Sequence, residues 1–106
     1  KRAVALVFDR LSDPDFSVDD LCAGLNMSQS TLYRKLKVTA GQSANEFIQN
    51  IRLKYAARLL RETSQTVSEI TFDVGFSDSS YFSRAFRKCF GVSPKQWREQ
   101  DAPEKV

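Results

Sequence analysis

Ser17-Val18-Asp19-Asp20-Leu21 and Thr66-Val67-Ser68-Glu69-Ile70 are two versions of one pattern, set 49 residues apart. Ser17 matches Thr66, Val18 matches Val67, Asp20 matches Glu69 and Leu21 matches Ile70. The same offset pairs Leu25 with Val74, Asn26 with Gly75 and Met27 with Phe76. It then becomes 50, pairing Ser28 with Asp78, Leu32 with Phe82, Arg34 with Arg84 and Leu36 with Phe86. Gly41 with Gly91, Ser43 with Ser93 and Phe47 with Trp97 extend the match, and one extra residue near Ser77 accounts for the step. Self-similarity over such a stretch indicates a duplicated structural unit.

Each matched position has a physical task. Ser17 with Asp20, and Thr66 with Glu69, have the spacing of a capping box, in which the hydroxyl and the acid satisfy each other's backbone amides. Asn26 and Gly75 tolerate positive φ and can end a short helix in a tight turn. Ser28 and Asp78 are suited to cap the next helix. Its apolar seam is Leu32 and Leu36 in one copy, Phe82 and Phe86 in the other, each pair four residues apart. Gly41 and Gly91 stop these helices, and Ser43 and Ser93-Pro94 start the next. The pattern predicts an all-α fold of seven helices: Arg2–Leu11, Val18–Leu25, Gln29–Thr39, Ala44–Arg61, Val67–Val74, Ser79–Cys89 and Pro94–Glu99. Phe47, Ile48, Ile51, Tyr55, Leu59 and Leu60 form an apolar stripe on the long fourth helix. The division expected is a first helix-turn-helix subdomain at 1–42, a connecting helix at 43–61 and a second subdomain at 62–106, together one compact unit.

Composition narrows the chemistry. With 106 residues, 42% hydrophobic and 27% charged, the chain can bury a core and is neither disordered nor fibrous. No apolar run approaches the roughly 20 residues of a membrane helix, so no membrane contact and a cytoplasmic location are expected. Starting at Lys1 rather than Met, the chain is expected to be a piece of a longer protein. Its two cysteines, Cys22 and Cys89, are expected to be buried free thiols. With no histidine, it has neither the ligands for a structural zinc site nor the commonest proton shuttle. No metal, cofactor or catalytic residue is expected, because no nucleophile–base pair or phosphate-cradling glycine loop is present.

The net charge of +3 is unevenly spread. Residues 28–61 hold seven basic and one acidic side chain, and residues 79–98 hold five basic and none acidic. Residues 62–78 hold four acidic and no basic ones. Two positive blocks suggest a polyanion met at two places.

A short helix, a turn with Gly or Asn and a second helix make a helix-turn-helix, a weak signal singly and a stronger one when duplicated. With Leu32 as zero at 100° per residue, Tyr33 falls at about 100°, Lys37 at about 140°, Ser30 at about 160° and Arg34 at about 200°. Relative to Phe82, Ser83 falls at about 100°, Arg87 at about 140°, Ser80 at about 160° and Arg84 at about 200°. Both helices thus carry Arg beside small hydroxyl residues opposite the seam. An α-helix fits the DNA major groove, where Arg can fork onto guanine and Ser can meet several bases. Lys37 and Arg87 also suit phosphates.

Gly75-Phe76-Ser77-Asp78-Ser79-Ser80-Tyr81-Phe82-Ser83-Arg84-Ala85-Phe86, followed by Phe90-Gly91-Val92-Ser93-Pro94, resembles the signature of AraC/XylS-type transcription regulators. Met27-Ser28 leading to Leu32-Tyr33-Arg34-Lys35-Leu36 is similar to that family's other reading unit, and Arg52-Leu53 with Ala56 to Leu60 to its connecting helix. The resemblance implies a seven-helix, sequence-specific duplex-binding domain, its third and sixth helices in adjacent major grooves. It places Ser30, Tyr33 and Arg34 at bases in the first unit, and Ser79, Ser80, Ser83 and Arg84 in the second. Ser79 departs from the proline frequent in this family, and Ser30 is small where some members carry a larger reader. Leu11-Ser12-Asp13-Pro14-Asp15-Phe16-Ser17-Val18 and the Leu32–Leu36 block further resemble output domains of two-component regulators, hybrid sensor kinases included. That implies a receiver or sensor domain upstream, with Lys1–Leu11 as tether and first helix; RNA polymerase is expected as a partner and activation as the outcome, with repression the open alternative. The alternative is a protein-interaction module whose basic faces meet an acidic partner. Asp13, Asp15, Asp19 and Asp20 suggest a cation or phosphoacceptor site, but capping and a polar loop account for them more simply.

Overall fold

A computed structural model of the chain describes residues 2–39 and 41–100. Lys1, Ala40 and 101–106 lie outside the described residues, and with them the start of the expected tether and the end of the expected second subdomain. Among the described residues there are seven helices and no strand: α1 (Arg2–Asp9), α2 (Val18–Leu25), α3 (Gln29–Thr39), α4 (Ala44–Glu62), α5 (Val67–Asp73), α6 (Ser79–Phe90) and α7 (Pro94–Glu99). No helix among them is long and apolar enough to cross a membrane.

The caps act where the residue types predict. Ser17–Asp20, Ser43–Glu46, Thr66–Glu69 and Ser93–Gln96 each form a full capping box at the start of α2, α4, α5 and α7. Asp78 accepts from Ser80 N and Tyr81 N at the head of α6, and Ser28 Oγ accepts from Thr31 N at the head of α3. Bounds shift slightly from expectation. α1 stops at Asp9 because Arg10 N and Leu11 N bond three residues back, to Val7 O and Phe8 O, which tightens the chain into a turn before Pro14. α5 stops at Asp73, with Val74 at φ −95° as its C-cap.

α4 is the axis around which α1, α3, α5, α6 and α7 pack. One continuous core runs from Val7 and Leu21 through Leu32, Leu53 and Leu60 to Ile70, Phe82 and Phe86. The buried arc of α4 comprises Ile48, Arg52, Leu53, Ala56, Ala57 and Leu60. The predicted stripe is therefore rotated, for Phe47, Ile51, Tyr55 and Leu59 are only partly buried. The two alanines explain the shift: small side chains let neighbouring helices approach that face. In the second half, Phe76, Phe82, Phe86, Phe90 and Trp97 stack edge-to-face or tilted, with centroids 4.6–5.9 Å apart. Pairs in this range add to ordinary burial.

Arg52 is the buried charged side chain among the described residues, only 6% exposed. Its Nη1 donates to Leu11 O at 2.6 Å and to Val74 O at 2.9 Å, and its Nη2 donates to Asp13 O at 3.1 Å. Gly75, at φ +91°, passes directly over it: a Cβ there would sit 1.4 Å from Nη1 and 2.2 Å from Leu11 O. Gly75 is therefore required twice, for its left-handed backbone and for its missing side chain.

Gly91 isolates the first requirement: it has φ +83°, but nothing lies within 4 Å of where a Cβ would stand. Gly91→Ala should cost about 1–2 kcal/mol, the ordinary left-handed penalty. Gly75→Ala should cost about 3 kcal/mol or more, since it also displaces a buried guanidinium from its partners. Urea unfolding followed by circular dichroism distinguishes the two, and equal midpoints would show that Arg52 yields freely.

Candidate nucleic-acid interface

Two helix–turn–helix units emerge from this packing, α2 with α3 and α5 with α6. Asn26, at φ 57°, ends α2 and turns the chain by hydrogen bonds from Asn26 N and Met27 N to Ala23 O and Cys22 O. In the second unit Gly75 N and Phe76 N bond to Phe72 O and Thr71 O. The two turns use equivalent hydrogen bonds, so the helices they launch leave in equivalent ways. Leu32 and Leu36 of α3, like Phe82 and Phe86 of α6, are buried as a seam.

The opposite faces carry the predicted residues. Ser30, Tyr33, Arg34 and Lys37 of α3 are exposed, as are Ser80, Arg84 and Arg87 of α6. Ser79 and Ser83 are half-buried, closer to the edge of the seam than to its opposite. Among the described residues none of Arg34, Lys37, Arg84 and Arg87 joins an ion pair; the two pairs found are Arg10–Asp13 and the exposed Arg58–Glu62. Lys37 Nζ lies over the Tyr33 ring, 5.8 Å from its centroid. Tyr33 also lines a groove of about 410 Å³ with Ser17, Gln29 and Asn45, so it stands between the exposed face of α3 and the start of α4.

Not every basic residue of the two positive blocks reaches the surface for an external partner. Arg52 is internal. Arg61 lies over the Trp97 ring at 3.8 Å, with its Nε donating to Trp97 O. Arg98 donates to Leu60 O at 2.7 Å and Thr63 O at 3.2 Å, closing the carboxyl end of α4. Trp97 Nε1 donates to Ala57 O at 3.0 Å. These three arginines fasten helices together through backbone carbonyls, a use that net charge by block does not distinguish from an open basic face.

Tyr81 is not among the predicted residues, because it falls about 100° from the seam on the side away from Ser83. It is nevertheless 47% exposed in the first turn of α6, and its hydroxyl donates to Gln49 Oε1 of α4 at 2.9 Å. Only the packing of α6 beside α4 brings these two together. The aspartates have local tasks: Asp20 caps α2, Asp19 accepts from Gln29, and Asp13 accepts from Asp15 N. The Arg10 hydrogen bond holds the Asp13 carboxyl below its ordinary pKa. Among the described residues no group of three His, Cys, Asp or Glu side chains could hold a metal ion.

Both cysteines are free, but only Cys22 is buried. Cys89 contradicts the expectation of a buried thiol. It lies at the seam angle of α6 but borders an open notch beside Glu46 and Asn50 of α4, where the core has ended.

Residues 21–100 match a family model described as a helix-turn-helix domain. The chain belongs to the AraC-type family of helix-turn-helix DNA-binding domains. It is 38% identical over 100 residues to Histidine kinase P4 of Formosa agariphila, covering 94% of this chain and 7% of that protein. Among solved structures, the C-terminal domain of AraT, a response regulator from Geobacillus stearothermophilus, superposes with a TM-score of 0.81 at 36% identity. That match covers 92% of this chain and 80% of the other. The DNA-binding domain of the global transcriptional factor AdpA, in complex with a target DNA, matches with a TM-score of 0.81 at 28% identity, covering 91% and 86%. This domain thus serves sequence-specific DNA binding in transcription regulation. The chain spans less than a third of the length of the curated relatives it matches.

The orientation of α6 can be checked without DNA. Native protein should react with a maleimide at one thiol per chain, Cys89, while Cys22 reacts only in denaturant. Two fast thiols, or protection of Cys89, would mean that α2 or α6 is turned differently.

Proposed function

We propose that the domain reads one duplex with two helices at once, α3 in one major groove and α6 in the next on the same side of the DNA. The first unit, 1–42, and the second, 62–106, act as paired readers held by the connecting segment 43–61. Ser30, Tyr33 and Arg34 face bases in one segment, and Ser79, Ser80, Ser83 and Arg84 in the other. Lys37 and Arg87 lie towards phosphates. The observation that carries this reading is the matched, exposed placement of Arg34 and Arg84 opposite buried seams, with no ion pair to either among the described residues. The dimensions support it: α4 has 19 residues, about 28 Å at 1.5 Å each. The long axis of the molecule is 42 Å, enough to span the roughly 34 Å between successive major grooves. Likeness to a histidine kinase and to a response regulator's C-terminal domain supports an output domain governed by a receiver or sensor domain in a longer cytoplasmic chain. In that setting the bound domain activates transcription by engaging RNA polymerase.

Removing a base contact and removing a phosphate contact have different consequences. Arg34→Ala or Arg84→Ala should leave the helical content unchanged, cost about 1–3 kcal/mol on the preferred site and relax discrimination in one half of it. Lys37→Ala or Arg87→Ala should weaken specific and non-specific duplexes alike and reduce the salt slope by about one unit. Exchange of these two behaviours would reverse the assignment of readers and anchors.

The paired mechanism is tested by spacing. About five added base pairs between the two segments rotate one of them to the far side of the duplex, half a helical turn away. Affinity measured by mobility shift should then fall towards the non-specific level, although every contacted base is present. Deleting the extra pairs should restore it. Nearly undiminished binding to the expanded site would show that the units move independently or that one alone reads.

A further inference from the structure

If α3 and α6 occupy successive major grooves, the minor groove between them, walled by two phosphate strands, must face the protein's middle. This inference rests on the paired reading above, and it concerns what meets those phosphates.

The middle of the molecule is a cleft of about 490 Å³ between the turn after α1, the first half of α4 and the α5–α6 turn. Asn45 stands on the ridge between this cleft and the groove beside Tyr33, so the cleft adjoins the first reading unit. Tyr81, from the first turn of α6, forms its other wall. Its floor is Arg52, whose guanidinium bonds carbonyl oxygens and no carboxylate among the described residues. Dipoles that solvate a positive charge weaken its local field but leave its net charge, so the cleft above it is biased towards an anion. Asp13, the nearby carboxylate, is itself paired with Arg10.

Gln49 projects into this cleft from α4. Tyr81 Oη donates to its Oε1 at 2.9 Å, which fixes the amide plane and directs the two Nε2 hydrogens away from the tyrosine. Among the described residues its side chain makes no other hydrogen bond. A neutral side chain that presents donors over a buried cation is suited to a phosphate oxygen.

We propose that Gln49, held by Tyr81, is a phosphate contact on the backbone strand that crosses between the two reading helices. The contact carries no base preference; it sets the register of both units on one duplex.

Gln49→Glu keeps the Tyr81 hydrogen bond, since a carboxylate also accepts, but replaces the outward donor by an anion. Its affinity should fall about tenfold or more at 100–150 mM salt, equally for preferred and mismatched sites, with an unchanged melting temperature. Gln49→Lys should bind more tightly at low salt and steepen the salt slope by about 0.9. Ethylation of phosphates between the two major-groove segments should block the parent protein and cease to matter for Gln49→Met. Binding of Gln49→Glu within twofold of the parent, or central interference unchanged in Gln49→Met, would overturn the proposal while base contacts on either side still stand. Absence of base-dependent contacts in one of the flanking segments with the parent protein would overturn the paired reading itself, and this contact with it.

Discussion

The carbonyl oxygens of Leu11, Asp13 and Val74 converge on the Arg52 guanidinium, and this one cluster joins the two ends of the repeat. Leu11 and Asp13 belong to the turns that follow α1, and Val74 caps α5. Carbonyls at helix ends carry the negative end of the backbone dipole, so a cation there replaces the water those groups would otherwise need. Burial lowers the Arg52 pKa from its ordinary value, and nearby Asp13 partly offsets the shift. Removing one side of such a buried arrangement leaves the other unsatisfied, which is far more costly than the net worth of the contact. The turn between α5 and α6 is therefore locked to α4 and to the chain ahead of α2, and Gly75 is the residue that allows the approach.

That lock shows how two similar helix pairs come to share one core around α4. Each unit alone is a helix pair with a single buried seam, too small to be stable. The repeat assigns α4 to the first unit in the way it assigns α7 to the second, since Ser43 matches Ser93 and Phe47 matches Trp97. Yet α4 is three times as long, 19 residues against 6, and its extra turns provide the surface on which α5, α6 and α7 settle. The copies then diverge in core chemistry. The first packs aliphatic Leu21, Leu32 and Leu36, whereas the second packs Phe76, Phe82, Phe86 and Trp97. α7 is closed on α4 by Trp97 and Arg98, both donating to main-chain oxygens of the connecting helix.

Helix order, caps and seams were legible because they are local. A hydroxyl with an acid three residues on acts within one turn, and a seam at four-residue spacing depends only on helical geometry. Asn26 and Gly75 could be read as left-handed turn residues for the same reason. The outward faces of α3 and α6 followed directly from the seams. Arg52, Arg61 and Arg98 escaped that logic. Each lies within a positive block, and each ends on a carbonyl 22 or more residues away. Cys89 escaped it too, because a seam angle says where a residue points and not where the neighbouring helix has ended.

By itself, then, the amino-acid sequence determined the duplicated helix-turn-helix pattern, the starts of its helices and which side of α3 and α6 carries Arg34 and Arg84. Those features arise from interactions among residues a few positions apart, whose energies the residue types alone specify. The tertiary structure alone decided which cations are internal fasteners and which are exposed, how α4 turns against its five neighbours and that Tyr81 meets Gln49 in a cleft floored by Arg52. Contacts of that kind join residues 22 to 41 positions apart. They exist only where helix packing brings the side chains within hydrogen-bonding reach, and no local pattern encodes that distance.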